Sequence, residues 1–553
     1  MKISAWVSLA AVSLSCMAHH GHCDTFEQTF REPKTVLFSV AGGGSSHVNW
    51  VLTVLEQVAA RGHRVIYAAK DDHTRYGRAY PSIETASIGP ASLLNSKDFL
   101  SEENSHPKML DMVAATFDVL HSDYERELAA YKELFATHNI DMVICDHFAV
   151  ACMDATRDAK TTPLVVTATN AMFPDAGAPY INNDILSLGD PTTQYQGIWK
   201  RFENKFMRPF QLLMKVGPKL NKLAARKTAA GIPTSILDTP DVLLADNLKI
   251  INSVFGLEAA RPLGPLVEMV GPVLPKHYEP LSGDLKYFLE AHSRVAYVSF
   301  GQHVIPSRED IELILTALVE NLDEGTIDGF IWATSAAAPK KVDRMFPATV
   351  TAASNRVYDI KHMLQGDHPD CRIIRWAPQV GILRHNATIT FISHGGASSV
   401  AEALHTGVRL VIYPFFSDQP TTARLLSRAE VAGFMSHEES QEQGTEVLRR
   451  VLKDEQGIFQ KNTDRYQALI QIYSKTGAIR GADLIEEVLF VSDGANLPHR
   501  QVVSRHMSFV KANNIDLYAI LFALVSLPVV TLAVIIKHFC VSEKAVIKKP
   551  KTA

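Results

Sequence analysis

The pattern that most restricts the fold lies near the amino end. A short β-branched run, Lys34 to Val40, meets the glycine-rich turn Ala41-Gly42-Gly43-Gly44-Ser45-Ser46-His47. An apolar-periodic stretch from His47 to Arg61 follows, Gly62 stops it, and His63 to Ala69 returns to strand-like sequence. A strand, a helix and a second strand in this order read as a βαβ unit of an open, mostly parallel sheet, and a parallel sheet needs both faces covered. Further strand-like runs at Asp141 to Cys145, Pro163 to Thr167 and Val242 to Ala245 extend such a sheet. Around Glu268 to Glu279 the chain turns to Gly-Pro-Val-Leu-Pro with another proline at Pro280, which reads as a linker. The alternation then restarts, with strands expected at Val295 to Phe300, Gly329 to Ala333, Ile389 to Ser393 and Arg409 to Tyr413 and a helix at Asp310 to Leu322. The expectation is an α/β chain of two doubly wound Rossmann-like lobes, residues 19–275 and 276–490, with a linking segment 491–516.

Both ends fall outside that pattern. Lys2 precedes an apolar run, Ile3 to Val12, too short to span a bilayer, and small residues near Cys16-Met17-Ala18 offer a cleavage site, so residues 1–18 read as a secretory signal peptide. From Leu517 to Ile536 there is no charged residue over 20 positions (536 − 517 + 1). A helix of that length covers a hydrocarbon core of roughly 30 Å. Asp516 precedes this span and Lys537, Lys544, Lys548, Lys549 and Lys551 follow it, so the tail 537–553 is expected in the cytosol and the body in the lumen, a type I arrangement. The close, Lys549-Pro550-Lys551-Thr552-Ala553, resembles a dilysine signal for return to the endoplasmic reticulum.

Composition narrows the function. The formal net charge of -4 gives no broad positive field, so nucleic acid is not an expected partner. Cys16 leaves with the signal peptide and Cys540 sits at the cytosolic end of the span. Cys23, Cys145, Cys152 and Cys371 remain, too few and too irregular for a disulfide framework or a zinc site. The one sequon, Asn386-Ala387-Thr388, lies between two expected core elements. The stretch from Asn170 to Lys227 is rich in aromatics, among them Phe173, Tyr180, Tyr195, Trp199, Phe202, Phe206 and Phe210; core packing is their ordinary role, and lining an apolar ligand's pocket the other.

Ligands of open α/β sheets sit beyond the carboxyl ends of the strands. After the first strand comes His47, and after the Asp141 to Cys145 strand comes Asp146, a carboxylate able to fix an imidazole's tautomer and steady its charged form. The helix start at His47 is expected to favour the neutral ring. In the second lobe, Val295 to Phe300 ends at Gly301, and Ile389 to Ser393 ends in His394-Gly395-Gly396-Ala397-Ser398-Ser399, opening a helix that carries Glu402. Glycines admit a ligand close to the backbone and the free amides of a helix start attract an anion, so this turn is a candidate diphosphate site.

The longer string is more specific. Trp376-Ala377-Pro378-Gln379, His394-Gly395-Gly396, Glu402, Gly407-Val408 and Pro414-Phe415-Phe416-Ser417-Asp418-Gln419 together resemble the donor-binding signature of the UDP-glycosyltransferase family. The His47-Val48-Asn49 helix start, Asn252-Ser253 with Glu258 and Arg261-Pro262, and Ser299-Phe300-Gly301 agree with it, so nearly the whole chain is similar to a membrane-bound eukaryotic member. The resemblance implies a GT-B fold and an inverting, metal-independent transfer of a hexose, glucose by default, from a UDP-sugar to a small apolar acceptor such as a phenol, sterol or lipid. The UDP-sugar is then a substrate and no cofactor is required; no Asp-x-Asp of the cation-holding kind is present. By the same resemblance Trp376 stacks on uracil, Gln379 contacts uridine and Glu402 accepts from the ribose hydroxyls. His394, Gly396, Ser398, Ser399 and Gly301 surround the diphosphate, Asp418 and Gln419 bind sugar hydroxyls, His47 is the general base and Asp146 its partner. Gln302 stands where the family often has Ser or Thr, and Arg409 where Pro is usual, the latter expected as a surface feature. Three other functions stay in view: transfer from UDP-glucuronate, a non-catalytic nucleotide-sugar escort, and a dinucleotide oxidoreductase. The last is disfavoured because the first turn lacks Gly-x-Gly-x-x-Gly spacing.

Overall fold

Two parallel sheets carry the chain, in a computed structural model that describes residues 29–90, 105–182, 189–235, 238–334 and 344–546. The expected signal peptide and the terminal lysine pair lie outside the described residues. The first sheet holds β1 (Thr35–Val40), β2 (Arg64–Ala69), β3 (Glu84–Ser87), β4 (Met142–Asp146), β5 (Leu164–Ala168), β6 (Leu248–Ile251) and β7 (Val267–Met269). Its strand order is β3-β2-β1-β4-β5-β6-β7. The second holds β8 (Val295–Ser299), β9 (Gly329–Ala333), β10 (Cys371–Ile374), β11 (Thr388–Ser393), β12 (Arg409–Ile412) and β13 (Ala432–Phe434), ordered β10-β9-β8-β11-β12-β13. Residues Thr349–Thr351 and Val357–Asp359 form a separate antiparallel hairpin.

Strand geometry sends successive side chains to opposite faces, and here both faces are covered. In β1, Val36, Phe38 and Val40 join one apolar cluster and Leu37 joins the cluster on the other face. In β11, Ile392 and Phe391 divide in the same way. That is why these strands read as continuous apolar runs.

The helix Ile458–Val491 joins the lobes. Ile470 packs in the second lobe, while Ala482, Leu484, Ile485 and Val488 pack in the first. The chain therefore crosses back within the segment 276–490 rather than at its end. Glu486 secures the crossing: its carboxylate accepts from Arg31 Nε at 2.6 Å, Arg61 Nη1 at 2.5 Å and His63 Nε2 at 3.1 Å.

Several expectations need correction. Val242 to Ala245 is not a strand: Pro240–Leu243 is a helical turn, and the strand is Leu248–Ile251. Lys249 interrupts its apolar pattern yet is buried, with Nζ 2.7 Å from the Asp175 carboxylate. Cys145 and Cys152 form a disulfide, which ties the end of β4 to the helix Val150–Asp158. Arg409 is no surface feature, because its Nη1 donates to the Val451 and Leu452 carbonyls at 2.7 and 3.2 Å, capping the helix Gln441–Lys453. In the sequon, the Thr388 hydroxyl donates to the Ile382 carbonyl at 2.7 Å. Of the aromatics between Asn170 and Lys227, Phe173 is buried, whereas Tyr180, Tyr195, Trp199, Phe202, Phe206 and Phe210 are exposed. The apolar helix near the carboxyl end runs Ile515–Val546, and its membrane-length portion is Ile515–Phe539, with none of that stretch buried.

Burial alone would raise the Glu486 pKa, but the hydrogen bonds of Arg31, His63 and Arg61 outweigh it and hold the carboxyl at about 2, below the ordinary 4.5. A lowered folded-state pKa adds stability above the ordinary value and loses it as pH falls toward 2. Glu486→Ala should lower stability by about 3 kcal/mol at neutral pH, since it strands three buried or half-buried donors. Thermal unfolding of the full chain in detergent at pH 7 and pH 3 tests this: the deficit should be large at the first and much smaller at the second.

Candidate active site

The two sheets present their carboxyl ends to a shared cleft, lined from the first lobe by Ser45, Asn49, Asn170 and Asn252 and from the second by Ser398, Glu402 and Asp418. In each sheet the strand order reverses between neighbours, β1 beside β4 and β8 beside β11, and such switch points open a crevice. His47 follows β1 and Asp146 ends β4; Gly301 follows β8 and His394 follows β11. The four flank the two switch points.

His47 Nδ1 lies 2.9 Å from Asp146 Oδ2, and Asp146 Oδ1 accepts from the Phe148 amide at 3.0 Å. An ionised carboxylate only accepts, so the proton sits on Nδ1 and the Nε2 lone pair is left for an incoming proton. Burial would raise the pKa of Asp146, but the imidazoles of His47 and His147 hold it well below the usual carboxylate range. For His47 burial alone would lower the pKa, yet Asp146 outweighs burial, with Asp418 across the cleft adding to it, and the net is a raised value. The net shift thus runs against the lowering expected from the helix start, because a carboxylate in contact outweighs a helix dipole.

The glycines permit the approach of the lobes. Gly44 has φ of +67°, and a Cβ there would stand 2.4 Å from Gln302 Nε2 and 2.8 Å from His303 Nε2. Gln302 donates instead to Ser45 Oγ at 3.2 Å, a bond between lobes that gives the unexpected glutamine a structural role. A Cβ at Gly301 or Gly396 would stand 3.1 or 2.4 Å from the His394 ring. His394 Nδ1 is buried without a hydrogen-bond partner, and burial together with His303 lowers its pKa to about 4. Beside it the helix Ala397–Thr406 begins, with Ser398 in the cleft wall. A neutral imidazole and free helix-start amides suit a diphosphate.

The remaining expected residues cluster around that helix. Gln379 Nε2 donates to Glu402 Oε2 at 2.7 Å and to Ser399 Oγ at 3.2 Å. Burial raises the Glu402 pKa to about 7, with the Gln379 bond opposing it. Trp376 is 62% exposed and donates from Nε1 to Glu279 at 3.0 Å, which leaves a ring face free for stacking. Burial likewise raises the Asp418 pKa, against hydrogen bonds from Ser417 and Asn170 and the charge of His47. Gln419 turns inward: its Oε1 accepts from the Phe415 and Phe416 amides at 2.9 and 3.1 Å, so only its amide nitrogen is left for a sugar.

Three neighbours were not foreseen. His147 has Nδ1 3.7 Å from Asp146 Oδ2, and together with His47 and Asp146 it places three potential metal ligands within 4.8 Å of one another. Each Asp146 oxygen there accepts a hydrogen bond, one from the His47 ring and the other from the Phe148 amide. Asn170 lies two residues beyond β5, so examining every strand end would have found it. His303 lies two residues beyond Gly301, and burial with the nearby His47 and His73 lowers its pKa to about 4.

This geometry has known relatives. Residues 201–549 match the model of the UDP-glucoronosyl and UDP-glucosyl transferase family. The chain belongs to that family. It is 29% identical over 508 residues to UDP-glycosyltransferase stmC of Aspergillus ustus, spanning 87% of this chain and 92% of that one. It is 33% identical over 184 residues to UDP-glucuronosyltransferase 3A1 of Mus musculus, spanning 32% and 30%. Among solved structures, the glycosyltransferase of kitacinnamycin superposes with a TM-score of 0.60 at 16% identity, over 83% of this chain and 100% of that one. CalG4, the calicheamicin glycosyltransferase, gives 0.51 at 17%, over 83% and 99%. The fold is GT-B, and the chain is a glycosyltransferase that uses a UDP-sugar.

His47→Ala should lower kcat by about 10² to 10⁴. Because the His47 pKa is raised, the rising limb of wild-type kcat/KM against pH should lie above that of free imidazole. Asp146→Asn removes the group that raises it and leaves burial, so the limb should move to lower pH as the rate falls. A pH profile with an unmoved limb in Asp146→Asn would show that another group carries the titration.

Proposed function

We propose that this transferase moves a hexose, glucose in preference to glucuronate, from its UDP-sugar to a hydroxyl of a small apolar acceptor, with inversion and without a metal. The observation that carries the reading is the His47–Asp146 pair facing Asp418 across the cleft. An acceptor hydroxyl is a poor nucleophile at neutral pH, so its proton must leave as it attacks the anomeric carbon. His47 Nε2 takes that proton, and the imidazolium is stabilised by Asp146 on one side and Asp418 on the other. The glycosidic bond to UDP breaks on the opposite face of the sugar, which inverts the anomeric centre. Diphosphate charge that develops on leaving meets the amides at the start of Ala397–Thr406 and the neutral His394, in place of a cation. Trp376 and Gln379 hold the base, Glu402 the ribose, and Asp418 with the Gln419 amide the sugar hydroxyls.

The choice of donor follows from charge. Arg261 is the sole cationic side chain in the cleft wall among the described residues, and it is committed to Glu258 at 3.0 Å and to the Ala176 and Ala171 carbonyls at 2.6 and 3.0 Å. Glu258, Glu402 and Asp418 also line the cleft, so a glucuronate carboxylate would meet further carboxyl groups and no uncommitted cation in this wall. Incubating the full chain with UDP-glucose or UDP-glucuronate and a panel of phenols and sterols should yield β-glucosides by product mass and anomeric coupling, with the rate nearly intact in EDTA. Turnover confined to UDP-glucuronate, or a strict need for added Mn²⁺, overturns the respective part. No turnover with any acceptor would leave the escort reading.

The same proposal extends to location: a single-pass type I protein of the endoplasmic reticulum with both lobes in the lumen. The apolar span Ile515–Phe539 and the Cys145–Cys152 disulfide, suited to an oxidising compartment, support it. Protease added to sealed microsomes should trim only the tail beyond Lys537, and Lys549→Ala with Lys551→Ala should release the protein to later compartments. Digestion of the lobes in sealed vesicles inverts the topology.

A further inference from the structure

A helical stretch of the first lobe exposes its greasy side. It runs Ile198–Phe202, passes through a π-type turn at Glu203–Met207 and continues as Arg208–Ala229. Asn204, Val216 and Leu223 face inward and are buried. Trp199, Phe202, Phe206, Phe210, Leu213 and Met214 recur at three- and four-residue spacing on the other side, with Trp199 80% and Met214 65% exposed. Their rings touch one another and not the core: Trp199 lies 6.3 Å from Phe202, and Phe202 lies 5.2 Å from Phe206. A contiguous apolar surface of this kind marks a partner or a membrane.

Three observations favour the membrane. Arg201 and Lys205 interleave with the apolar side chains, Lys222 follows them on the same helix, and none has a carboxylate partner among the described residues, the arrangement of a helix lying in a bilayer surface with its cations reaching to the headgroups. The chain's own span begins at Ile515, and the segment leading to it is fastened to this same lobe. Arg500 Nη1 donates to the Pro265 carbonyl at 2.6 Å and to Glu268 at 2.8 Å, and Arg505 pairs with Asp246. Finally, Ile181 and Asn182 line both the catalytic cleft and a shallow depression walled by Phe202 and Phe206. The apolar surface thus adjoins a wall of the cleft.

We propose that the face formed by Trp199, Phe210, Leu213 and Met214 rests in the surface of the bilayer that holds the Ile515–Phe539 span, and that apolar acceptors enter the cleft from the lipid past Phe202 and Phe206. The acceptor half rests on the transferase reading above; the surface half does not. The test uses the full chain in phosphatidylcholine vesicles. Bromine on the lipid chains should quench a component of tryptophan emission that is absent in Trp199→Phe; equal quenching in both places Trp199 in water and overturns the surface. The variant Trp199→Glu/Phe210→Glu/Met214→Glu should raise KM for a long-chain alkylphenol dissolved in the bilayer roughly tenfold, with KM for UDP-sugar and for a water-soluble phenol unchanged. Equal KM values for wild type and variant with the alkylphenol overturn entry from lipid. Should neither phenol be turned over by wild type, the acceptor reading fails while the quenching result still decides the surface. Cross-linking from position 199 to a second copy, without quenching, would assign the face to self-association and overturn the proposal.

Discussion

Every strand in both large sheets runs in the same sense as its neighbours, and this one constraint places the chemistry. Parallel strands deliver their carboxyl ends to a single edge, and reversal of strand order at β1/β4 and β8/β11 parts the following loops there. His47 and Asp146 come from adjacent strands of one sheet, so the 2.9 Å bond between them depends on β-ladder register, with Ser39 opposite Cys145. The Cys145–Cys152 disulfide and the Phe148 amide then fix the Asp146 end. The second sheet repeats the device at β8 and β11, with Gly301 and Gly396 making room for His394.

Facing edges must also stay opposed, and different interactions serve that need. Ile458–Val491 spans both lobes, buries apolar residues in each, and is held at the first lobe by the Glu486 cluster. Nearer the cleft, Gln302 donates to Ser45, and Arg424 and Arg428 pair with Asp190. His106 Nε2 lies 2.7 Å from Asp310, the residue that also completes the capping box of the helix Arg308–Asp323. These contacts are polar and local, whereas the long helix is apolar and deep. A small rotation of the lobes would break the former and spare the latter, the behaviour expected of a cleft that admits and releases two substrates.

What the sequence discloses divides along physical lines. The central strands of both lobes and the residues that end them are legible because burial on both faces demands unbroken apolar runs, and β1, β8, β9 and β11 lie within a residue or two of their expected bounds. Strand β6 hides because Lys249 breaks its run, and only the tertiary partner Asp175 makes that burial tolerable. Arg409 reads as a surface cation because the carbonyls it caps arrive from 42 residues further on. The aromatics from Tyr195 to Phe210 read as core because periodicity shows that a helix has an apolar face, not what that face meets. His147 and Asn170 required only that each strand end be inspected, and the signal for both was present.

The ionisation pattern of the cleft sets the His47–Asp146 pair apart from its neighbours. Burial raises both Glu402 and Asp418, lowers His394 and His303, and so pushes each of these four toward its uncharged form. His47 and Asp146 go the other way, the imidazole raised and the carboxyl lowered, because each is the other's counter-charge. A proton arriving on His47 therefore enters a place in the cleft where a carboxylate already stands to compensate it. Were Asp146 absent, the same burial would drive His47 toward the low values of His394 and His303, and it would be a weak base in a dry site. Were His47 absent, Asp146 would retain His147, at a longer 3.7 Å, as its neighbour. The two residues thus depend on one another unequally: the imidazole owes its basicity to the carboxylate, while the carboxylate has a second imidazole to keep it charged.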